Sequence, residues 1–105
     1  MKLHRPRSER QERLAERSLF EAILTLRDAE ECRSFFQDLC TPTELQAMAD
    51  RWAVVRCLFQ DAPYREVQRS TGVSVATVTR VARCLRDGQG GYELALQRSK
   101  ERKHG

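Results

Sequence analysis

The sequence predicts an all-α fold of about six helices that includes a helix-turn-helix. Apolar residues recur at the three- and four-residue steps of an α-helix over residues 8 to 98, with only short breaks. Residues 63 to 86 have the pattern of a short helix, a tight turn at Gly72 and a second helix opened by Ser74. No segment alternates with the two-residue period of a β-strand, so we expect no sheet.

The first two predicted helices carry more apolar surface than one neighbouring helix would cover. Residues 9 to 27 spread six large apolar side chains over more than one narrow stripe: Leu14, Leu19, Phe20, Ile23, Leu24 and Leu26. The next helix, about residues 29 to 38, has an apolar face at steps of three and four formed by Cys32, Phe35, Phe36 and Leu39. Because a chain of 105 residues builds only a small core by itself, we expect a partner subunit to cover these faces.

The third predicted helix has the clearest start in the chain. Thr41 supplies a capping hydroxyl, Pro42 suits the first helical position, and Glu44 follows three residues after the cap. The helix is expected to run to about residue 60 with one apolar seam, formed by Leu45, Met48, Trp52, Val55 and Phe59. The seam indicates core packing, and residues 9 to 60 are interpreted as a helical dimerisation core.

The helix-turn-helix, residues 61 to 87, has two local features that support it. Gly72 lies where a chain leaving a helix often adopts positive φ, which glycine does at little cost. Ser74 is placed to accept the backbone N–H of Thr77 as an N-cap. Small side chains are expected to hold the two helices together: Val67, Thr71, Val73, Val78 and Val81. DNA binding is therefore the first functional hypothesis, and an ordinary helical hairpin is the alternative.

The positive charge of the chain is concentrated in this unit. Residues 63 to 86 hold five arginines and one acidic residue, Glu66, for a net charge of +4. The whole chain is also +4, so the remaining segments sum to zero. The planar guanidinium suits phosphate and guanine, because it donates two parallel hydrogen bonds. A rival interpretation is a small helical interaction protein whose arginine face binds an acidic partner or non-specific nucleic acid. The arginines are Arg65, Arg69, Arg80, Arg83 and Arg86.

Other classes of function have little support in the sequence. No apolar run approaches the roughly 18 residues that cross a bilayer, and the basic start lacks the apolar core of a secretion signal, so we expect a cytoplasmic protein. No nucleophile has a base at a defined spacing, so we expect no enzyme. The four cysteines are far apart in the sequence, and both histidines lie near the chain ends. We therefore expect no metal site, no disulfide framework and no cofactor. These residues are Cys32, Cys40, Cys57, Cys84, His4 and His104.

The two ends of the chain are expected to be less ordered. Residues 1 to 8 are interpreted as a basic flexible arm. After the glycines at 88, 90 and 91, residues 88 to 97 are expected to form one short C-terminal helix, and residues 98 to 105 a disordered basic tail.

Two stretches of the chain resemble the bacterial Trp repressor family, and most closely its YerC/YecD branch. They are residues 39 to 51, with the opening Thr-Pro-Thr-Glu, and residues 64 to 80, which end in Ala-Thr-Val-Thr-Arg. The resemblance covers roughly residues 14 to 96. It implies six helices, an intertwined homodimer, and a transcriptional regulator, of the repressor type, that binds double-stranded DNA.

The same resemblance implies which residues contact DNA. Small side chains at the start of the second helix fall on positions that approach base edges: Val75, Ala76, Thr77 and Thr79. They suit water-mediated readout, for which the Trp repressor itself is the known example, and contact with thymine methyl groups. Arg65 and Gln68 fall on positions near the DNA backbone or groove. Further contacts are expected from the outward-facing or basic residues Ser74, Arg69, Arg80 and Arg83.

The resemblance also implies an effector pocket. In the family, arginines at the positions of Arg51 and Arg80 flank the tryptophan corepressor, and Thr41 lies at the pocket wall. This chain has Val81 where the family has glycine, and Cys84 where it has serine. Because a valine side chain would occupy the space of the indole, we do not expect tryptophan to bind; another small effector stays an alternative. Arg51 is then expected to form an ion pair, with Asp50 or Asp87 as candidates.

Overall fold

The computed structural model describes residues 6 to 104, and these form six α-helices with no strand among them. The all-α class and the number of helices predicted from the sequence are confirmed. The chain divides into two compact units at the junction of Thr41 and Pro42. Residues 1 to 5, which hold His4 and most of the predicted basic arm, lie outside the described residues, as does Gly105. The helices are α1 (Glu9–Ile23), α2 (Ala29–Leu39), α3 (Pro42–Phe59), α4 (Tyr64–Thr71), α5 (Val75–Asp87) and α6 (Gly91–His104).

Helix α1 begins with a capping box and ends four residues before the predicted position. The Ser8 hydroxyl accepts the Gln11 N–H at 3.1 Å, and the Gln11 side chain accepts the Ser8 N–H at 2.9 Å. After Ile23 the backbone bonds shorten to three-residue spacing, with Thr25 donating to Ala22 at 3.1 Å. The Thr25 hydroxyl donates to the same carbonyl oxygen at 2.6 Å. These local hydrogen bonds compete with the backbone bonds that would extend the helix. The apolar periodicity of the sequence gives no sign of them.

Helix α2 begins at a side-chain cap and packs two aromatic rings side by side. The Asp28 carboxylate accepts the Glu31 N–H at 2.9 Å. The rings of Phe35 and Phe36 meet edge to face, with centroids 5.5 Å apart. No residue of α1 or α2 is buried in the isolated chain.

The second unit contains all the buried side chains of the described residues. Five of them are valines, so this core is small. Its side chains come from α3, α4, α5 and α6. Helix α3 ends in a turn where Ala62 donates to Cys57 at 3.3 Å and Asp61 adopts a positive φ of 60°. The helix thus ends at Phe59, close to the predicted end at about residue 60. The buried residues are Val54, Val55, Val67, Val78, Val81 and Leu96.

The C-terminal segment corrects the sequence prediction. Helix α6 runs from Gly91 to His104, so residues 98 to 104 are helical rather than a disordered tail. Buried Leu96 fixes the middle of the helix on the core, and the Lys100 ammonium lies over the Phe59 ring at 5.8 Å from its centroid. The polar residues that follow are mostly good helix formers, so nothing in them ends a helix that is already anchored. Within residues 6 to 104, no helix has the length and apolarity needed to cross a membrane.

Candidate nucleic-acid interface

The turn between α4 and α5 is fixed by hydrogen bonds on both of its sides. Gly72 has a φ of 73° and donates its N–H to Gln68 at 2.8 Å, which closes α4 in the left-handed conformation predicted for it. The Thr71 hydroxyl donates to the Val67 carbonyl at 2.6 Å and accepts the Val73 N–H at 3.2 Å. The path of the chain between the two helices is therefore set by α4 itself.

Helix α5 starts as the sequence predicts. The Ser74 hydroxyl accepts the Thr77 N–H at 3.3 Å and lies 3.2 Å from the Thr77 hydroxyl. These bonds satisfy one of the free N–H groups of the first turn without placing a charged side chain there. Indeed the first turn of α5 contains no acidic residue. The positive end of its helix dipole is therefore not neutralised from within the helix.

The helix-turn-helix is seated on α3 by valine side chains. Val54 and Val55 from α3 form the buried cluster with Val67 from α4 and Val78 from α5, and each of the four has 0% exposure. Val73, in the turn, packs against the same cluster. Because tightly packed side chains leave little room for rotation, α4 and α5 are held in one orientation on α3. The apolar contacts predicted for Val67, Val73, Val78 and Val81 are confirmed. Thr71 contributes through its two hydrogen bonds instead.

The outer side of α5 presents small, uncharged side chains in its first turns. Val75, Ala76 and Thr79 are exposed, and Thr77 is half-buried beneath them. Val75 and Thr79 are four residues apart, and Ala76 and Thr79 three apart, so they adjoin on one helix surface. We refer to Val75, Ala76 and Thr79 as the apolar tip. Ser74, which caps the helix, is exposed beside it.

The five arginines of the unit fall into two groups. Arg69 lies 2.6 Å from the Glu66 carboxylate, and Arg86 lies 3.3 Å from that of Asp87. Within residues 6 to 104, the exposed side chains of Arg65, Arg80 and Arg83 form no ion pair. We refer to Arg65, Arg80 and Arg83 as the unpaired arginines. Gln68, predicted near the DNA, is half-buried on α4.

The residues of the predicted effector pocket do not all have the environment of a ligand site. Val81 is 1% exposed and belongs to the same buried cluster as Val54, Val55, Val67 and Val78, so its side chain is part of the core. We refer to these five residues as the valine cluster. Arg80 and Cys84 are exposed on α5, and Arg51 is half-buried on α3. Thr41 is the last residue of the first unit.

The prediction that Arg51 forms an ion pair is wrong. Among the described residues, Arg51 pairs with neither candidate carboxylate, and Asp87 instead lies 3.3 Å from its neighbour Arg86. The Arg86 guanidinium reaches Asp87 from the next position in α5, whereas Arg51 would have to reach it from α3. An exposed ion pair gains too little to offset the side-chain entropy lost in ordering Arg51 there.

Two features of the second unit were not singled out in the sequence. Tyr64, the first residue of α4, is 46% exposed, and its hydroxyl can donate a hydrogen bond to a phosphate oxygen. The signal for it was an aromatic residue directly after Pro63, at the start of a helix. The second feature is a cleft of about 590 Å³ lined by α3 and α6 residues that include Trp52, Phe59 and Leu96. It depends on the C-terminal extension of α6, which the sequence prediction ended too early.

Comparison with known proteins identifies the family. The family described as Trp repressor protein matches residues 15–100, which is most of the chain. The chain belongs to the Trp repressor family. It is 49% identical over 83 residues to an uncharacterised protein, YerC, of Bacillus subtilis (strain 168), a match that covers 79% of this chain and 80% of YerC. The resemblance seen in the sequence is thereby confirmed.

Solved structures of Trp repressor-like proteins have the same fold. A TrpR like protein from Eubacterium eligens ATCC 27750 superposes with a TM-score of 0.80 at 37% identity, over 83% of this chain and 90% of that one. A Trp repressor-like protein from Staphylococcus aureus also gives a TM-score of 0.80, at 40% identity, over 89% of this chain and 96% of that one. The Trp repressor family is a family of DNA-binding regulators rather than enzymes.

Proposed function

We propose that this Trp repressor family member is a homodimeric, sequence-specific transcriptional regulator of the repressor type, acting in the bacterial cytoplasm. The observation that carries the proposal is the surface of α5, where the uncharged apolar tip lies next to unpaired arginines on a rigidly seated helix. A helix of this kind fits the major groove of B-DNA. Small side chains at its start permit close approach to base edges, while guanidinium groups at its sides bind phosphates.

In this proposal the predicted DNA-binding residues have two tasks. The apolar tip, with Ser74 and Thr77 at the helix cap, faces the bases directly or through water. The unpaired arginines, with Gln68, bind the phosphate backbone or groove edge and fix the register. Arg69 contributes less, because the Glu66 carboxylate beside it repels phosphate.

The dimer is supported by apolar surface that one chain leaves uncovered. On α1, Leu14 and Phe20 are each 55% exposed, and Leu24, the C-cap residue of α1, is 81% exposed. Complete burial of a side chain of this size stabilises a protein by roughly 1.5–3 kcal/mol. Leaving these side chains of the α1 region in water is therefore unfavourable. The apolar wall of the α3 and α6 cleft offers more such surface. A second copy of the chain has the same uncovered apolar faces, so each copy can cover those of the other.

We expect sedimentation equilibrium to give the mass of two chains at micromolar protomer concentration. The midpoint of thermal unfolding should rise with protein concentration, because folding and association are then one equilibrium. A single chain that stays compact and folded on dilution, with an unfolding midpoint independent of concentration, would contradict the dimer.

We propose further that tryptophan is not the effector of this protein. Val81 fills its position with a side chain that belongs to the core, so an indole could enter only by displacing it. Isothermal titration with L-tryptophan is expected to show no saturable binding up to about millimolar concentration, which is the weak end of specific binding. Saturable heat with one site per chain would contradict this proposal and restore Arg51, Arg80, Cys84 and Thr41 as pocket residues.

The direct test of base reading is Thr79→Ala, measured by fluorescence anisotropy on a preferred site and on random DNA. Thr79 is exposed and is not one of the buried core residues, so the variant should fold normally. We expect binding to the preferred site to weaken by about 1–3 kcal/mol, because base-edge contacts carry sequence preference. Binding to random DNA should not change. Equal affinity of variant and original on every DNA would instead favour the rival function, in which the arginine face binds an acidic protein or nucleic acid without sequence preference.

A further inference from the structure

Two cations lie at the cleft between α3 and α6. Arg56 on α3 and Lys100 on α6 both line it, and both are exposed. Among the residues that the structure describes, neither forms an ion pair and no carboxylate lines the cleft. A cation in the last turn suits the dipole of α3, which accounts for Arg56 but not for a second cation on the neighbouring helix. We refer to Arg56 and Lys100 as the rim cations.

Lys100 is held at the surface beside the end of α3. Its ammonium lies over the ring of Phe59, the last residue of α3, at 5.8 Å from the ring centroid. Phe59 is 46% exposed, so this contact positions the charge without removing it from water. Leu96, four residues earlier in α6, is buried and anchors the helix on the core. The charge of Lys100 therefore has a defined place on the second unit, unlike a charge in a free tail.

The same end of α3 leads directly into the start of α4. The turn after Phe59 is closed by the Ala62 N–H, which donates to the Cys57 carbonyl at 3.3 Å. Phe59 and Tyr64 are five residues apart, so their Cα atoms lie at most about 17 Å from each other. Tyr64 and Arg65 are exposed at the start of α4, and the proposed function assigns Arg65 to the phosphate backbone. A DNA backbone strand that passes them is therefore within reach of the rim cations.

The charges along this path suit a polyanion. Residues 56 to 65 contain two arginines and one acidic residue, Asp61, and Lys100 adds a third cation from α6. Arg65 and the rim cations lie at separate points of the second unit rather than around one small ligand. Because DNA carries regularly spaced phosphates, it can meet several such points at once. The excess positive charge of the helix-turn-helix is thus continued onto α3 and α6.

We propose that Arg56 and Lys100 bind phosphates of the DNA backbone strand that the start of α4 contacts, and so form a DNA contact outside the helix-turn-helix. This inference rests on the proposed DNA binding and extends it to α3 and α6. The contact strengthens and positions binding without adding sequence preference, because phosphates are the same at every base pair. The apolar wall of the cleft stays available to a second copy of the chain.

The first test removes one charge at a time. Arg56→Gln and Lys100→Gln each keep a long polar side chain. We expect each to lower the slope of log K against log salt by about one per protomer, and the affinity for preferred and random DNA by about eightfold per protomer near 0.1 M salt. The matched control is Arg98→Gln, on the same helix. Arg98 is exposed and does not line the cleft, so its removal should change the slope much less.

Neutral methylphosphonate linkages locate the contact on the DNA. Placed one at a time along each strand of the preferred site, they remove single phosphate charges. We expect one or two positions in each half-site to weaken binding of the original protein but not of Arg56→Gln or Lys100→Gln, because the contact is already gone in the variant. These positions should lie on the same strand as, and next to, the position that Arg65→Ala makes insensitive.

Asp61→Asn is a variant whose expected effect a folding defect cannot imitate. Asparagine tolerates the positive φ of 60° at this position better than most residues. Removal of the carboxylate should strengthen binding to preferred and random DNA by about two- to fivefold, the range of exposed charge interactions.

The outcomes separate this inference from the function beneath it. If Arg56→Gln and Lys100→Gln behave like Arg98→Gln, or if Asp61→Asn does not strengthen binding, the rim cations do not bind DNA, while binding by the helix-turn-helix stands. Weaker dimerisation in sedimentation with unchanged DNA binding would also overturn the inference, by assigning the rim cations to the subunit interface. If the protein binds no DNA at any salt concentration, the proposed function fails and this inference fails with it. Circular dichroism verifies that each variant keeps the fold.

Discussion

Val78→Ala is expected to lower the free energy of unfolding by about 2–3 kcal/mol, from the lost burial of two methyl groups and the cavity they leave. Val78 is 0% exposed and lies where α5 packs on the valine cluster. The core of the second unit contains only six buried side chains among the described residues, so few neighbours can move to fill the space. The loss should be visible in urea denaturation at a fixed protomer concentration.

Val75→Ala is the matched control for this measurement. It makes the same chemical change in the same helix, three residues earlier, at a side chain that is 55% exposed. We expect a change within about 0.5 kcal/mol, since surface substitutions away from special features have effects of that size. Equal losses for the two variants would show that the valine cluster does not hold the helix-turn-helix in place.

The second large effect is expected from the arginines. Arg80→Ala/Arg83→Ala should lower the slope of log K against log salt by about two per protomer, because each phosphate contact releases about one counterion. At 0.1 M salt this corresponds to a loss of roughly sixtyfold per protomer, on preferred and random DNA alike. Both side chains are exposed and form no ion pair within the described residues, so stability should be unaffected.

The charge-matched control is Arg69→Ala/Arg86→Ala. It removes the same two positive charges from the same unit, so the long-range field changes by the same amount. These arginines lie against Glu66 and Asp87, whose carboxylates repel phosphate. We expect a small change in salt slope and affinity. If both double variants lower the slope equally, net charge rather than defined contact accounts for binding, and the assignment of phosphate contacts to the unpaired arginines is wrong.

The helix-turn-helix was predictable from the sequence because its signals are local. Gly72 and Ser74 act through bonds to residues at most four positions away, and Pro42 acts through its own ring. Such constraints are visible in a short window of sequence. The structure confirms each of them within one or two residues.

The helix ends were predicted less well because apolar periodicity alone does not show where a helix ends. Helix α1 ends at Ile23 where the Thr25 hydroxyl bonds back to the chain, although the apolar pattern continues to Leu26. Helix α6 continues to His104 because Leu96 and Lys100 are held on other helices, which composition alone does not reveal. Tertiary contacts override local preference in such segments.

The residues of the candidate site could be proposed from the sequence, but the division of its arginines into paired and unpaired ones could not. The sequence placed five arginines in one unit, yet only the structure separates Arg69 and Arg86, held by neighbouring carboxylates, from the others. Likewise, the replacement of glycine by Val81 was visible in the sequence, but its membership of the core required the packing. The ion pair predicted for Arg51 does not form with Asp50 or with Asp87, and Asp87 lies against the adjacent Arg86 instead.

Selection of bound sequences from a random DNA library tests the central claim most directly. We predict an enriched site of two inverted half-sites whose centres are about one helical turn, roughly 10 base pairs, apart, because two symmetric copies would each place α5 in successive major grooves. In Thr79→Ala, the preference should be relaxed at one base pair of each half-site. Recovery of unrelated sequences after repeated rounds, with binding that depends only on salt, would contradict sequence-specific recognition by this protein.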